Sequence, residues 1–351
     1  MRTRKLGNSD IDVSVICLGT MTFGEQTNLE ESFKQMDYAL DHGVNFWDTA
    51  EMYSVPPRAE TYGLTETYIG KWLAQNQEKR DKIVLATKVA GASTRLNYMR
   101  PHLDPSGTKL DRQSVMEAAD ASLKRLNTDY IDLYQVHWPA RNTNMFDRLS
   151  YVHLENEVAT PILETLDALG DLVKQGKVRT IGISNETPWG VMEYLNLAKE
   201  HNLPRVQSIQ NPYNLLKRDF EIGLAEMACR ADIGLLAYSP LAMGVLSGKY
   251  LNDARPAGSR MALFGQYFPR YLSERAQQET RKYVELAREY GLDPAMMANS
   301  YVNDRPFVTS NIIGATTFDQ LVVAVESEKL RLPDDLLRKL EAIHNANPIG
   351  Y

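Results

Sequence analysis

No stretch of the 351-residue sequence approaches the roughly eighteen consecutive apolar residues a bilayer-spanning helix needs, so no membrane role is expected. Cysteine is nearly absent. Cys17 and Cys229 are too few for a disulfide framework or a four-ligand zinc site, and both are expected to be reduced thiols in the core. The basic start, MRTRKLG, runs into polar residues rather than an apolar segment with a cleavage site, so a cytoplasmic protein is expected. A net charge of −6 without a long lysine or arginine run gives little attraction for nucleic acid or anionic lipid. Any cationic site must be local. Low-complexity linkers, composition shifts and strong sequence repeats are missing too, which points to one domain across residues 1–351.

What is present is a recurring pattern of short β-rich apolar runs followed by amphipathic helical stretches. Val13 to Leu18 precedes Leu29 to Asp41, Val44 to Trp47 precedes Thr65 to Ala74, Ile83 to Thr87 precedes Arg112 to Arg125, and Ile131 to Val136 precedes Pro161 to Lys174. The second half continues with Val178 to Ile183 and Pro188 to Glu200, Val206 to Ile209 and Phe220 to Cys229, Gly234 to Ala237 and Ala276 to Tyr290, and Ile312 to Ile313 and Phe318 to Ser327. Several of these strands are continuously apolar rather than alternating, the mark of a parallel sheet covered by helices. Eight such units predict an α/β fold, an eight-stranded parallel (β/α)8 TIM barrel. The competing open doubly wound sheet lacks its GxGxxG fingerprint, since the first strand runs instead into LGTMTFG. Arg4 to Leu6 and Ile11 to Val13 predict an N-terminal β-hairpin, and Pro333 to His344 a C-terminal helix.

Four connections are long: Ser54 to Leu64, Ala90 to Asp111, Pro139 to Thr160 and Met243 to Ser273. All lie after strands and before helices, the side of a β/α barrel that carries active sites. The polar residues at strand ends are Asp48, Lys88, His137, Ser184 with Asn185, Gln210, and Tyr238 with Ser239. Singly, each has an ordinary reading: Asp48 as a helix cap, Lys88 as a solvated strand end, Tyr53 as a loop aromatic, His137 as a satisfied core histidine. Together they form a proton-transfer set. Tyrosine is a poor acid at neutral pH, with an ordinary pKa of about 10. Lys88 beside it stabilises the phenolate, Asp48 holds the ammonium, and His137 can donate a hydrogen bond to the oxygen that Tyr53 protonates.

DTAEMY ending at Tyr53, ATK ending at Lys88 and VHWP around His137 resemble the Asp-Tyr-Lys-His tetrad of the aldo-keto reductase superfamily. The resemblance spans nearly the whole chain. It is strongest to the bacterial Tas-like branch, through MTFG, AEMYSVPPR, GLTE and SNET, and extends more distantly to the Kvβ-type potassium-channel subunits. It implies reduction of an aldehyde or ketone by a nicotinamide cofactor, without a metal, and with Asp48, Tyr53, Lys88 and His137 as the catalytic set. It further implies that Ser184, Asn185 and Gln210 hold the nicotinamide carboxamide, with Asp48 beside them. Gly19, Thr20 and Met21 would line the cofactor and Tyr238 would stack under its ring. Ser239, Leu241 and Gly244 would cradle the pyrophosphate, and Gly314, Thr316 and Gln320 would meet the adenosine end.

Lys249 and Arg260 match phosphate-clasping cations, which implies NADPH/NADP+. Two departures stand out. The chain reads QLVVA from Gln320 where many members read QLxEN, so Val323 and Ala324 lack the polar side chains that meet adenine. The SVPPRAETY segment is longer than the usual turn, and it leaves Arg58 and Tyr62 to face substrate or solvent. The Kvβ likeness also implies an alternative, an NADP(H)-binding sensor with slow turnover. A metal-dependent barrel hydrolase lacks a ligand cluster of suitable spacing.

Overall fold

The structure, a computed structural model, describes every residue except Asp147 and Phe268. Strands β1 (Thr3–Lys5) and β2 (Asp12–Ser14) pair antiparallel, with Arg4 opposite Val13. The next eight strands are β3 (Ile16–Gly19), β4 (Phe46–Asp48), β5 (Val84–Val89), β6 (Ile131–Val136), β7 (Val178–Ser184), β8 (Val206–Pro212), β9 (Gly234–Tyr238) and β10 (Val308–Gly314). All are parallel to their neighbours in chain order, and β10 pairs with β3 to close the barrel. Helices α1 (Leu29–Asp41), α2 (Leu64–Gln75), α3 (Arg112–Leu126), α4 (Ile162–Lys174), α5 (Pro188–Glu200) and α6 (Leu224–Arg230) follow β3 to β8 in turn. After β9 come α7 (Arg260–Phe264), α8 (Glu274–Glu289) and α9 (Pro294–Asn303), while α10 (Phe318–Glu326) and α11 (Asp334–Ala346) follow β10. The predicted (β/α)8 barrel with an N-terminal hairpin and a C-terminal helix is the observed architecture.

Strand side chains alternate between the barrel interior and the helical layer, with a period of two residues. In β4, Trp47 faces outward and meets Trp72 of α2 at 5.0 Å between rings, while Phe46 and Asp48 face inward. In β5, Thr87 turns outward to donate to Glu66 of α2 at 2.6 Å, while Val84, Ala86 and Lys88 turn inward. Phe46, Val84, Ala86, Leu133, Leu236 and Ile312 form an inner apolar cluster with Leu6, Ile11 and Val13 of the hairpin. The hairpin plugs one end of the barrel. Burying each large apolar side chain there contributes about 1.5–3 kcal/mol. Polar inward residues are thereby left for the opposite end.

The differences from the predicted elements have local causes. Val13 to Leu18 is divided: Val13 pairs with Arg4 in the hairpin, whose strands run Thr3–Lys5 and Asp12–Ser14 rather than Arg4 to Leu6 and Ile11 to Val13, and the barrel strand begins at Ile16. Strand β10 begins at Val308, well before Ile312, through the polar residues Thr309, Ser310 and Asn311. Asn311 donates to Asn303 at 2.9 Å and Asn299 at 3.2 Å, both on α9, which occupies its buried amide nitrogen inside the strand. Helix α9 itself was absent from the βα pattern. Its signal was local, Asp293 accepting from the Met296 amide at 2.9 Å with Pro294 in the first turn. Cys17 is buried as expected, whereas Cys229 is exposed because the last turn of the short α6 leaves it on the solvent side.

Candidate active site

The period of two that fills the barrel with apolar side chains also builds the site. One step beyond Phe46, Ala86, Leu133 and Leu236, the next inward positions are Asp48, Lys88, Gln135 and Tyr238. Strand pairing sets Asp48 opposite Gly19, Lys88 opposite Gln135, and Ser184 opposite Gln210. Asp48 and Lys88 form an ion pair of 2.6 Å with almost no exposure, and Lys88 also donates to the Thr49 carbonyl at 2.7 Å. Burial lowers the Lys88 pKa, but the charges of Asp48 and Tyr53 and the Asp48 hydrogen bond together outweigh it, so the net direction is upward. The ammonium stays charged. Thr20 fixes the other side of Asp48, donating to its backbone carbonyl from both its amide (3.1 Å) and its hydroxyl (2.8 Å).

Tyr53 lies in the turn after β4, with the Lys88 Nζ 5.0 Å from its ring centroid and the His137 ring edge-on at 5.7 Å. All four residues of the predicted set therefore meet at one end of the barrel. The sequence reasoning expected Lys88 to lower the phenol pKa. Burial dominates instead and the net shift is upward, with Lys88 the largest opposing influence. The His137 imidazole is held well below its ordinary value, chiefly by burial and then by Lys88, so it is neutral at pH 7. Its Nδ1 is buried without a hydrogen-bond partner among the described residues.

A second buried network supports Tyr53 from below. Glu51, two residues earlier and fully buried, accepts from the Ala90 amide (2.8 Å), from both Arg100 nitrogens (2.5 and 3.0 Å) and from the Tyr62 hydroxyl (3.3 Å). It thus ties the Tyr53 turn to the end of β5 and to two of the long connections. Tyr62 packs against the Arg125 guanidinium at 5.1 Å, and burial with the Glu51 charge pushes its pKa up to about 12. Arg58 pairs with Glu25. Of the two residues left between substrate and solvent, Tyr62 turns into this ionic network and Arg58 sits on an outer salt bridge. Arg100→Met leaves the Glu51 carboxylate buried without its cation and is expected to destabilise the fold by about 3–5 kcal/mol in denaturant unfolding. A change below 1 kcal/mol would mean that water or Tyr62 compensates.

On the far side of the mouth, Ser184 donates to the Gln210 carbonyl (2.7 Å), Asn185 donates to Ser184 Oγ (3.1 Å) and to the His137 carbonyl (2.9 Å), and Tyr238 donates to Asn185 Oδ1 (2.7 Å). Asn185 adopts φ +55°, in the left-handed region that asparagine tolerates better than most residues. Beyond β9 the backbone turns left-handed at Ser239, Ala242, Met243 and Gly244, a geometry that curls amide groups into anion-binding concavities. At Gly244, with φ +94°, a Cβ would come 3.1 Å from Lys249 Cε and 3.3 Å from its Nζ. The glycine leaves a cradle with an ammonium above it. Lys249 has no carboxylate partner among the described residues. Leu241 opens this turn, accepting from the Gly244 amide at 2.9 Å.

Arg260 begins α7 and lies close enough to Tyr53 and Tyr250 to feel their charge. Met21 lies beside the mouth, its carbonyl accepting from the Val55 amide at 3.4 Å. Gly314 is exposed at the end of β10. Past it, Gln320 Oε1 accepts from the Thr316 amide (3.1 Å) and hydroxyl (3.2 Å) at the start of α10. These groups run from the barrel mouth to α10 as a discontinuous rim. Val323 is half-buried and Ala324 buried, so neither adds a polar contact there. Sequence reasoning passed over Gln135, Glu51 and Arg100. Gln135 was findable by counting back two from His137, whereas the other two had no periodic signal.

By fold and by likeness to known proteins, the chain is an NAD(P)-dependent oxidoreductase. It belongs to the aldo/keto reductase family, whose pattern matches residues 15–345. It is 50% identical to Protein tas of Escherichia coli (strain K12) over 98% of both chains. It is 34% identical to the uncharacterized oxidoreductase YrpG of Bacillus subtilis (strain 168), over 96% of this chain and 94% of that one. A putative voltage-gated potassium channel subunit beta of Schizosaccharomyces pombe is 30% identical, over 99% of this chain and 94% of that protein. No helix among the described residues is long and apolar enough to cross a membrane.

Proposed function

We propose that residues 1–351 act as one unit, an NADPH-dependent carbonyl reductase that converts an aldehyde or ketone to an alcohol with Tyr53 as the proton donor. The observation that carries this reading is the buried Asp48–Lys88 pair at 2.6 Å with Tyr53 stacked beside the ammonium. When bound, the reduced nicotinamide supplies the hydride. The Tyr53 hydroxyl gives its proton to the carbonyl oxygen as negative charge develops there. Lys88 stabilises the phenolate left behind, and Asp48 keeps that ammonium in place and charged. The neutral His137 has one N–H to donate to the same oxygen, which orients and polarises the carbonyl. Ser184, Asn185 and Gln210 hold the carboxamide and Tyr238 supports the ring. The residues around Gly244 with Lys249 and Arg260 take the phosphates, and Thr316 and Gln320 the adenosine end.

Consumption of NADPH against a panel of aldehydes, ketones and quinones tests the activity, paired with binding titrations of NADPH and NADH. Tight NADPH binding without turnover on any carbonyl would replace this reading with a cofactor sensor. Lys249→Met removes a charge-assisted contact of about 1.5–3 kcal/mol. It is expected to weaken NADPH binding about tenfold or more and to narrow the preference over NADH. An unchanged NADPH-to-NADH ratio would take Lys249 off the 2′-phosphate.

A further inference from the structure

Asp48 accepts three hydrogen bonds inside the barrel: on Oδ2 from Lys88 at 2.6 Å, and on Oδ1 from the side-chain amides of Gln135 (3.0 Å) and Gln210 (2.9 Å). An ionised carboxylate has no hydrogen to give, so both amides must turn nitrogen toward it. That requirement fixes the orientation of each. The Gln210 nitrogen carries two hydrogens, and the second goes to Gln135 Oε1 at 3.0 Å. Both are therefore spent inside the barrel. Gln210 Oε1 accepts no hydrogen bond among the described residues, which leaves this side chain an acceptor and nothing else toward a ligand. The neighbouring strand makes room for the bridge: at Gly182 a Cβ would come 3.2 Å from Gln135 Cγ.

We propose that Gln135 is a positioning residue for the nicotinamide end of the cofactor, acting through Gln210. By taking the second amide hydrogen of Gln210 it holds Oε1 outward, matched to the N–H donors of a carboxamide, and it joins that acceptor to the Asp48–Lys88 pair. Without it, Gln210 keeps one bond to Asp48 but regains a free hydrogen and rotational freedom, so its ligand face is no longer a pure acceptor. The inference rests on the nicotinamide reading of this rim. It goes further in assigning a role to a buried side chain that touches neither cofactor nor substrate.

The test uses Gln135→Leu in the full chain, comparing dissociation constants for NADP+ and for adenosine 2′,5′-bisphosphate, which lacks the nicotinamide. The expected result is a roughly fivefold to tenfold loss for NADP+, an unchanged constant for the bisphosphate, and a lowered kcat with the carbonyl KM unchanged. Equal losses for both ligands would reduce Gln135 to a packing role, and no loss for either would remove it from the site. Both results overturn the inference. Gln135→Met carries the same comparison if the leucine variant does not fold. Failure of the nicotinamide reading itself looks different: the unmodified protein would then bind NADP+ no more tightly than the bisphosphate.

Discussion

Replacing Tyr53 with phenylalanine is expected to lower kcat for carbonyl reduction by about two to four orders of magnitude, the range over which a positioned general acid acts. The substitution removes one oxygen and keeps the ring that meets His137 edge-on at 5.7 Å and Lys88 at 5.0 Å. Packing and NADPH affinity should therefore survive, and the loss should fall on the chemical step. A steady-state assay with a cofactor titration on the same preparation separates the two. Activity within a few-fold of the unmodified protein would assign the proton to another donor, with His137 the nearest alternative.

Lys88→Met is expected to lower activity and stability together. Asp48 would keep its amide donors but lose its cation at a position of almost no exposure, a situation that costs about 3–5 kcal/mol. Lys88 is also the largest influence holding the Tyr53 pKa down against burial. Its removal therefore moves the phenol further up. In the reductive direction the acidic form of Tyr53 is the active one, so the alkaline limb of the kcat profile should move to higher pH while the plateau falls, because a weaker acid gives its proton less readily. Asp48→Asn in the same background would relieve the stranded charge and recover stability without recovering rate. An unchanged alkaline limb in Lys88→Met would separate Lys88 from the acid.

Much of this was legible in the sequence because barrel geometry and catalytic placement share one rule. Eight apolar runs alternating with helices specify the barrel, and the inward parity of Phe46 and Ala86 carries on to Asp48 and Lys88 one step later. That is why residues far apart in the chain could be brought to one point from spacing alone. Parity also covers Gln135, which escaped notice because a glutamine inside an apolar run signals no chemistry until its partners are seen. The Glu51–Arg100 pair was not legible. Glu51 sits in the turn after β4 and Arg100 on a long connection, where no period constrains which side chain turns inward. The net direction of the Tyr53 shift was not legible for a related reason: sequence indicates that an ammonium is near, and Lys88 does pull the pKa down, but the burial that outweighs it is set by the fold.

The measurement that bears most directly on the central claim is transfer of label from NADPH deuterated at nicotinamide C4 to a reactive carbonyl in single turnover. The account predicts deuterium on the carbinol carbon of the product with the unmodified protein, and a rate of appearance reduced at least a hundredfold, to order of magnitude, by Tyr53→Phe. Tight NADPH binding with no deuterium in any product across the panel would contradict it. So would transfer at the same rate in both proteins.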